Sequence, residues 1–292
     1  MSSWKGKSKG KPWGYSIFLA ILKWAGVTPA YFLLRFVSFY YVVFSYQSSK
    51  SIYYYFHQRL GYSRLKSLLK VYQNYYIFGQ SIIDKVVVMA GIPNKFTFEF
   101  DGKHNLHQIA AMNKGGLLLS AHIGSWEIAG NLLNTINTRI NIVMYDGEDQ
   151  QIKAFMEKVT GKYSVNIIVI KDDISHIFKI NEAFQNNELV CMHADRYLEG
   201  NKTITKNFLG EDAKFPLGPF VLAAKFKVPV AYVFAMKETK FHYHFYASTI
   251  KEYLHLGKDA GMEQMTNDFV GEMEKYVKKY PEQWYNYYNF WQ

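Results

Sequence analysis

The chain has 292 residues, a net charge of +10 and 49% hydrophobic residues, and 18% of its residues are aromatic. This hydrophobic content excludes a disordered chain, and the length suits one large domain or two small ones. The single cysteine, Cys191, excludes an intramolecular disulfide framework and suits a reducing compartment. Its apolar surroundings, ELVCMHA, predict a small buried side chain rather than a nucleophile.

The N-terminal region combines a basic segment with an apolar one. Four of the first dozen residues are lysines, which are attracted to anionic surfaces, and the apolar sequence that follows favours lipid over nucleic acid. Residues 15–46 are apolar, but two basic residues and the GVTP break at 26–29 interrupt them. We therefore predict two apolar helices that lie on or dip into a bilayer, the second opening at Pro29. A buried helical hairpin and a single tilted span from near Ala30 are the alternatives.

The rest of the chain shows helical periodicity first and alternating strands and helices afterwards. Residues 50–90 repeat apolar positions at intervals of three and four, which predicts helix. Strands are predicted at 96–100, 116–121, 140–145, 165–170, 188–194, 228–236 and 241–248. Helices are predicted near 104–113, 125–137, 149–160, 173–186, 217–227 and 261–279. This alternation predicts an α/β fold with a mixed, largely parallel central sheet flanked by helices.

Two regions of different character follow from these patterns. Residues 1–92 form the basic segment and the membrane-associating helices, which provide an apolar N-terminal helical anchor. Residues 93–292 form the α/β domain. The segment FHYHFY (241–246) puts two histidines on one strand face beside alternating aromatic residues, which is typical of a half-buried edge hairpin.

The stretch SAHIGSWE (120–127) places titratable groups where an aliphatic strand stops. His122 stands at the carboxyl end of that strand, where parallel sheets gather ligands, and Gly124-Ser125 allow a tight turn into a helix. Such a turn can fold Glu127 back toward the imidazole. A carboxylate on one ring nitrogen raises basicity and leaves the other nitrogen to accept a substrate proton. The spacing is equally compatible with a structural histidine bonded to a backbone carbonyl, with Glu127 serving only the helix dipole.

The HxxxxE spacing of HIGSWE resembles the catalytic block of the lysophospholipid acyltransferase superfamily. The tryptophan before the glutamate resembles the lipid A biosynthesis acyltransferase branch. Further segments resemble this branch in the same order: WKGKSKGKPWGY (4–15), MHADRYL (192–198), FLGEDAKFPLGPFVLAAKFKVPV (208–230) and PEQWYNYYNFW (281–291). The resemblance thus covers nearly the whole chain.

This resemblance implies an acyltransferase at the cytoplasmic face of the inner membrane, peripheral or monotopic. The fatty acyl group would pass from an acyl-acyl carrier protein or acyl-CoA thioester to a hydroxyl or amine of a lipid-like acceptor. These partners and the membrane surface are expected, whereas a metal, a bound cofactor and nucleic acid are not. The rival interpretation is a non-catalytic lipid-binding or membrane scaffold protein of the same fold.

The resemblance also assigns roles to individual residues. His122 carries over as the general base, and Glu127 carries over as the residue that orients it. Asp195 and Arg196 carry over as a site-lining pair, in which the arginine could hold a phosphate or carboxylate in bidentate fashion; a purely structural pair is the alternative. Substrate contacts are expected from Ser125, Trp126, Phe215, Pro216 and Gly218, the last three shaping the acyl pocket or its mouth.

The remaining histidines and the aromatic C-terminal segment carry weaker signals. His104 and His107 share a predicted helix face, but their spacing is not that of a metal site, so exposed helix histidines are expected. His193 either lines the site or lies inside its strand. The segment WYNYYNFW (284–291) has no basic residue, which disfavours an RNA-stacking surface. An interfacial belt or a cap over the core is expected there instead.

Overall fold

The computed structural model describes residue 22, residues 24–125, residues 128 and 136, and residues 138–145, 165–171 and 173–291. Its helices are α1 (Val27–Phe44), α2 (Tyr46–Tyr54, continued by a π-helical turn over Tyr55–Arg59), α3 (Arg64–Met89), α4 (Lys103–Ala111), α5 (Ser175–Gln185), α6 (Gly218–Phe226) and α7 (Lys258–Lys279). Its strands are β1 (Thr97–Asp101), β2 (Gly116–Ser120), β3 (Ile140–Tyr145), β4 (Val165–Ile170), β5 (Leu189–His193), β6 (Thr203–Phe208), β7 (Glu211–Pro216), β8 (Val230–Thr239) and β9 (His242–Ala247). The predicted helices at 125–137 and 149–160 fall mainly or wholly outside the described residues.

Seven of the strands form one mixed sheet in the order β1-β9-β8-β2-β5-β3-β4. Neighbouring strands are parallel except β8 and β9, which pair antiparallel. The predicted α/β fold with a largely parallel sheet is therefore confirmed. The predicted edge position of FHYHFY is wrong, because this segment forms β9, and β1 pairs on its outer side and takes the edge of the sheet.

The central strands are buried on both faces, which explains their continuous aliphatic sequences. Leu119 of β2 belongs to the same apolar cluster as Phe269 of α7. Leu118, which points to the opposite face, belongs to a second cluster with Ile109 of α4. Cys191 of β5 is buried as predicted, and burial raises the pKa of its thiol to about 12, so the thiol stays protonated and unreactive.

The region between Asp195 and the FPLGP segment is more regular than the sequence predicts. Strands β6 and β7 form an antiparallel hairpin that is separate from the main sheet. Phe208 and Phe215 are fully buried side chains of this hairpin and contact each other edge to face. The alternation of buried and exposed positions in these two strands is short, and polar turn residues interrupt it. The sequence pattern therefore does not predict the two strands.

The predicted helical part at 50–90 is present and is divided into two pieces. A break at Gly61, whose φ of +68° lies in the left-handed region, separates the π-helical turn from α3. The side chain of Ser63 then caps α3 by accepting a hydrogen bond from the backbone of Lys66. Helix α1 packs against α3, with Leu34 lying against Gly79, which has no side chain to keep the helices apart.

A buried ion pair joins the helical part to the sheet. The carboxylate of Asp84 on α3 lies 2.5 Å from the ammonium group of Lys237 on β8, and both side chains are almost completely buried. The hydroxyl groups of Tyr31 on α1 and Tyr243 on β9 also donate to this carboxylate. Lys237 further donates to the backbone carbonyl of Lys240 at 2.9 Å. Four elements thus meet at one carboxylate whose charge is compensated by several donors.

Candidate active site

The carboxyl ends of β2 and β5 bring two polar side chains together. These strands are parallel neighbours, and Ser120 lies opposite His193 at their ends. His122 and Asp195 each follow two residues later, so both leave the sheet at the same edge. The Nδ1 atom of His122 lies 2.8 Å from Oδ1 of Asp195. The contact is therefore at the edge where parallel sheets bind ligands.

The charge on Asp195 determines the tautomer of His122. Asp195 is 1% exposed, and its second oxygen accepts the backbone N–H of His122 at 3.1 Å. Burial alone would raise the pKa of this carboxyl, but the His122 ring, its hydrogen bond and Arg196 hold the pKa well below its usual range. An ionised carboxylate only accepts hydrogen bonds, so Nδ1 of His122 carries the hydrogen. In the neutral ring the lone pair is then on Nε2, which is the atom that can accept a proton.

Position 124 requires glycine. Gly124 has a φ of +69°, and an added Cβ would lie 1.9 Å from the carbonyl oxygen of Ala235. The tight turn predicted here is present. The four residues of this loop are His122, Ile123, Gly124 and Ser125, and the backbone N–H group of each donates to an acceptor within the protein. In this conformation the loop therefore has no amide to offer to a substrate oxygen.

The C-terminal segment holds the same loop from the other side. The backbone N–H of Gly124 donates to the carbonyl of Gln283 at 2.9 Å, and the N–H of Tyr285 donates to the carbonyl of His122 at 3.0 Å. The side chain of Gln283 also binds both backbone groups of Lys237, accepting from its N–H at 2.9 Å and donating to its carbonyl at 2.7 Å. The position of the histidine loop is thus set by strand β8 and by this segment together.

Arg196 connects to this segment as well. Its Nη2 atom donates to the backbone carbonyl of Tyr285 at 2.5 Å, and its guanidinium lies 6.0 Å from the centroid of the Tyr288 ring. The segment itself is buried: Trp284 and Phe290 are 1% and 3% exposed. Its aromatic residues therefore form a cap over the core, one of the two structures predicted for WYNYYNFW. The cap also fixes the arginine at the site.

The ring of His193 lies against that of His122. The ring centroids are 4.3 Å apart and the planes are inclined by 26°. Burial, with a smaller contribution from His122, lowers the pKa of His193 to about 3, so its imidazole is neutral at physiological pH. Donor atoms of His122, His193 and Asp195 lie within 4.8 Å of one another, a spacing that also suits a metal ion. The hydrogen bond between His122 and Asp195 already joins two of these donors.

We expect His193 to make the folded state less stable in acid. The pKa is about 3 in the folded chain and about 6.5 in the unfolded chain, so the unfolded state binds one more proton between these values. Stability should fall by about 1.4 kcal/mol per pH unit as the pH is lowered through this window. The carboxyl of Asp195, whose folded pKa is depressed, adds stability above about pH 4 that is lost at lower pH.

Urea unfolding between pH 7 and pH 4.5 measures this effect. His193→Phe keeps a stacked ring but cannot titrate, so its stability should depend less on pH than that of the wild type. His104→Gln, at an exposed histidine of α4, should keep the wild-type dependence. An unchanged slope in His193→Phe would show that this ring does not titrate as inferred.

Of Ser125 and Trp126, which are predicted to contact substrate near the turn, the structure describes Ser125. Ser125 is 2% exposed and its N–H donates to the carbonyl of Ala235 at 2.8 Å. Trp126 and Glu127 lie outside the described residues, so the predicted contact between His122 and Glu127 stays a prediction. Within the described chain, the carboxylate on His122 belongs to Asp195.

The FPLGP segment lies at the end of the β6–β7 hairpin. Phe215 and Pro216 close β7 and are buried, with Phe215 packing edge to face on Phe208 and Phe269. Gly218 is exposed and opens α6. These contacts place Phe215 in the core, and the predicted role of this segment at the mouth of an acyl pocket stays a prediction.

Two features of the site were not predicted from the sequence. One is the direct contact between His122 and Asp195, although both were assigned to the site. His122 and Asp195 each lie two residues beyond the end of a strand, and this equal spacing indicates a contact between them. The indication holds only if β2 and β5 are neighbours, which the sequence does not show. The other is the main-chain role of Gln283 and Tyr285, which no side-chain pattern reveals because any residue supplies an N–H and a carbonyl.

Comparison with known proteins places these observations in a family context. The family model described as bacterial lipid A biosynthesis acyltransferase matches residues 71–292. No curated protein sequence matches the chain. Among solved structures, the chain is similar to the 1-acyl-sn-glycerophosphate acyltransferase PlsC from Thermotoga maritima, with 12% sequence identity and a TM-score of 0.41. The alignment covers 84% of this chain and 95% of that one.

Proposed function

Because the chain belongs to the bacterial lipid A biosynthesis acyltransferase family, we propose that it transfers a fatty acyl group from a thioester donor to a lipid-like acceptor at a membrane. The donor is acyl-acyl carrier protein or acyl-CoA, and the acceptor group is a hydroxyl or an amine. The observation that carries the proposal is the contact between His122 and the buried, ionised Asp195. It supplies a histidine with a fixed tautomer and a basic Nε2 at the ligand-binding edge of the sheet.

In the proposed reaction His122 acts as the general base. Nε2 takes the proton of the acceptor hydroxyl or amine while the acceptor attacks the thioester carbonyl. The resulting imidazolium is stabilised by the Asp195 carboxylate on Nδ1. When the tetrahedral intermediate collapses, the carbon–sulfur bond breaks and the thiolate takes the proton back from Nε2. Acyl transfer by this route needs no acyl-enzyme intermediate.

The developing oxyanion needs a donor from outside the histidine loop, since all four amides of residues 122–125 already have acceptors. We assign this role to Arg196, whose guanidinium has five N–H donors and is held beside the site by the Tyr285 carbonyl. Asp195 occupies Nδ1 of His122, and Nε2 must stay free for the acceptor proton. Glu127, the acidic residue of the family motif, therefore keeps its proposed orienting role only in place of Asp195 or through the bound acceptor.

Helix α1 supports association with the membrane. Within the described residues it is the one helix long and apolar enough to cross a bilayer. One face carries Phe32, Phe36 and Phe39, each between 60% and 64% exposed, whereas Tyr31 and Leu34 on the other face are buried against the protein. A helix with one face packed and one aromatic face exposed is suited to lie in the interface. We therefore propose a monotopic attachment on the cytoplasmic side, where the basic charge also suits an acidic carrier protein.

Comparative lipid mass spectrometry tests the proposed function. Cells producing the wild-type chain should contain a lipid heavier by one acyl group that is missing from cells producing His122→Ala at equal levels. Fragmentation then identifies the acceptor and the chain length. Identical profiles, even after extract from the native organism has been added, would favour a non-catalytic lipid-binding protein. In the same cells, the protein should sediment with membranes, and Phe32→Glu combined with Phe36→Glu should release it if α1 is the attachment.

A further inference from the structure

A second group of ligand-type side chains lies at the edge of the sheet formed by β1, away from the strand ends that carry His122. Strand β1 pairs in parallel with β9, and Glu99 lies opposite His244. Asp101 follows two positions later on β1, so it shares a face with Glu99. Glu238, near the end of β8, approaches His244 from the other side. We call Glu99, Asp101, Glu238 and His244 the edge cluster.

The separations in the edge cluster are those of metal ligands. Nε2 of His244 lies 3.1 Å from Oδ2 of Asp101. Ligand atoms of Glu99, Asp101 and His244 all lie within 4.8 Å of one another. Two ligands bound to a tetrahedral zinc ion at about 2.0–2.1 Å are roughly 3.4 Å apart. The side chains would therefore need only small movements to surround an ion.

The second nitrogen of His244 has the partner that such a ligand requires. Histidines that bind metals commonly donate their other ring N–H to a carboxylate, which fixes the tautomer. Nδ1 of His244 faces Oε1 of Glu238 at 3.4 Å. The same oxygen of Glu238 accepts hydrogen bonds from the hydroxyl groups of Tyr246 at 3.1 Å and Tyr280 at 2.5 Å. Glu238 thus places a carboxylate oxygen near Nδ1, which leaves Nε2 to coordinate the ion.

The charge of the edge cluster also favours a divalent cation. It has three carboxylates: Glu99, Asp101 and Glu238. Among the described residues, Lys279 is an ammonium group that interacts with both Glu238 and Asp101. A second imidazole, that of His242, lies 3.6 Å from Glu99 and 4.0 Å from Glu238. When both imidazoles are neutral, three negative charges and one positive charge leave two negative charges, which one divalent ion would balance. The excess is local, since the chain as a whole has a net charge of +10.

The edge cluster is accessible from solvent. A cavity of about 620 Å³ is lined by Asp101, Tyr246 and Lys279 together with residues of α7. The side chains of Glu99 and Asp101 are 62% and 64% exposed, whereas that of His244 is 12% exposed. Asp101 lies between this cavity and the buried Nε2 atom of His244, so an ion that enters from the cavity would reach the imidazole by way of Asp101, with water as its fourth ligand.

We propose that the edge cluster binds a divalent transition-metal ion such as Zn²⁺, with Glu99, Asp101 and His244 as ligands and Glu238 orienting the histidine. Mixed nitrogen and oxygen donors suit zinc and its neighbours better than calcium or magnesium, which prefer oxygen alone. The ion would cross-link β1 to β9 and so fix the strand at the edge of the sheet. This site does not depend on the proposed acyl transfer, and its test does not require enzyme activity.

Calorimetric titration of the metal-free, full-length protein with ZnCl₂ tests the proposal, and the visible spectrum of the Co²⁺ form reports the ligands. We expect one ion per chain at the edge cluster. His244→Ala should weaken its binding by at least about tenfold, and Glu238→Gln by about 10–100-fold, the usual effect of removing a partner of a metal-bound histidine. Asp101→Asn, which keeps the shape of the side chain, should also weaken binding, so that the result does not rest on a variant that fails to fold.

Two control variants locate the ion. His104→Ala removes an exposed histidine of α4 and should leave binding unchanged. His122→Ala removes a possible ligand from the group formed by His122, His193 and Asp195, whose donor atoms are also spaced like metal ligands. If binding is lost in His122→Ala and kept in His244→Ala, the ion belongs to the strand ends of β2 and β5 and the proposal is wrong. The absence of binding at millimolar Zn²⁺ in the wild type would also overturn it.

Discussion

Replacing His122 by alanine should lower turnover by about 10²–10⁴-fold, the usual effect of removing a general base. The neighbouring His193 does not replace it, because an imidazole with a pKa of about 3 is too weak a base to take the acceptor proton. The measurement is product formation by the purified protein from an acyl thioester and the acceptor identified by mass spectrometry. Turnover within twofold of the wild type would exclude His122 as the base.

Two further variants separate the possible partners of His122. Asp195→Asn keeps the size of the side chain but removes the charge that fixes Nδ1–H, so turnover should fall while the protein stays folded. Glu127→Gln makes the matched change at the acidic residue of the family motif. The variant with the larger loss identifies the carboxylate that orients the base. His107→Ala, at an exposed histidine of α4, should retain full activity.

Replacing Lys237 by methionine should destabilise the protein by about 3–5 kcal/mol, because it leaves the Asp84 carboxylate buried without its cation. Burial already raises the pKa of Asp84 and lowers that of Lys237, so each charge is disfavoured in this place and depends on the other. Chemical unfolding in detergent, at a pH where the wild type is stable, measures the loss.

Two comparisons test the origin of that loss. The double variant Asp84→Leu, Lys237→Met removes both charges and should recover most of the stability, because apolar side chains of similar volume often replace a buried pair without cost. Lys114→Met breaks an exposed pair with Glu252, separated by 3.2 Å, and should change stability by less than about 1 kcal/mol. A loss of that small size in Lys237→Met would mean that water reaches Asp84 and compensates its charge.

The sequence predicts the strands of the sheet well because their aliphatic runs are long and are separated by helical periodicity. It also places His122 and Asp195 at strand ends by the same reasoning. It does not predict that these two ends are adjacent, since the order of strands in a sheet depends on tertiary packing. The buried pair of Asp84 and Lys237 is hidden for a similar reason: each lies in an ordinary amphipathic pattern, and only the packing of α3 on β8 and β9 joins them.

The hydrogen bond between Gly124 and Gln283 has a consequence for how the protein acquires its activity. The two residues are 159 positions apart, and the bond between Ser125 and Ala235 closes a loop of 110 positions. Contacts of such long sequence separation form late, because the chain must first lose the entropy of closing large loops. The sheet closes loops of similar length, since Thr97 of β1 pairs with His242 of β9, 145 positions later, so the histidine loop should become ordered no earlier than the sheet. It should also be among the first parts released when the C-terminal segment detaches, so catalytic competence would disappear before the sheet melts.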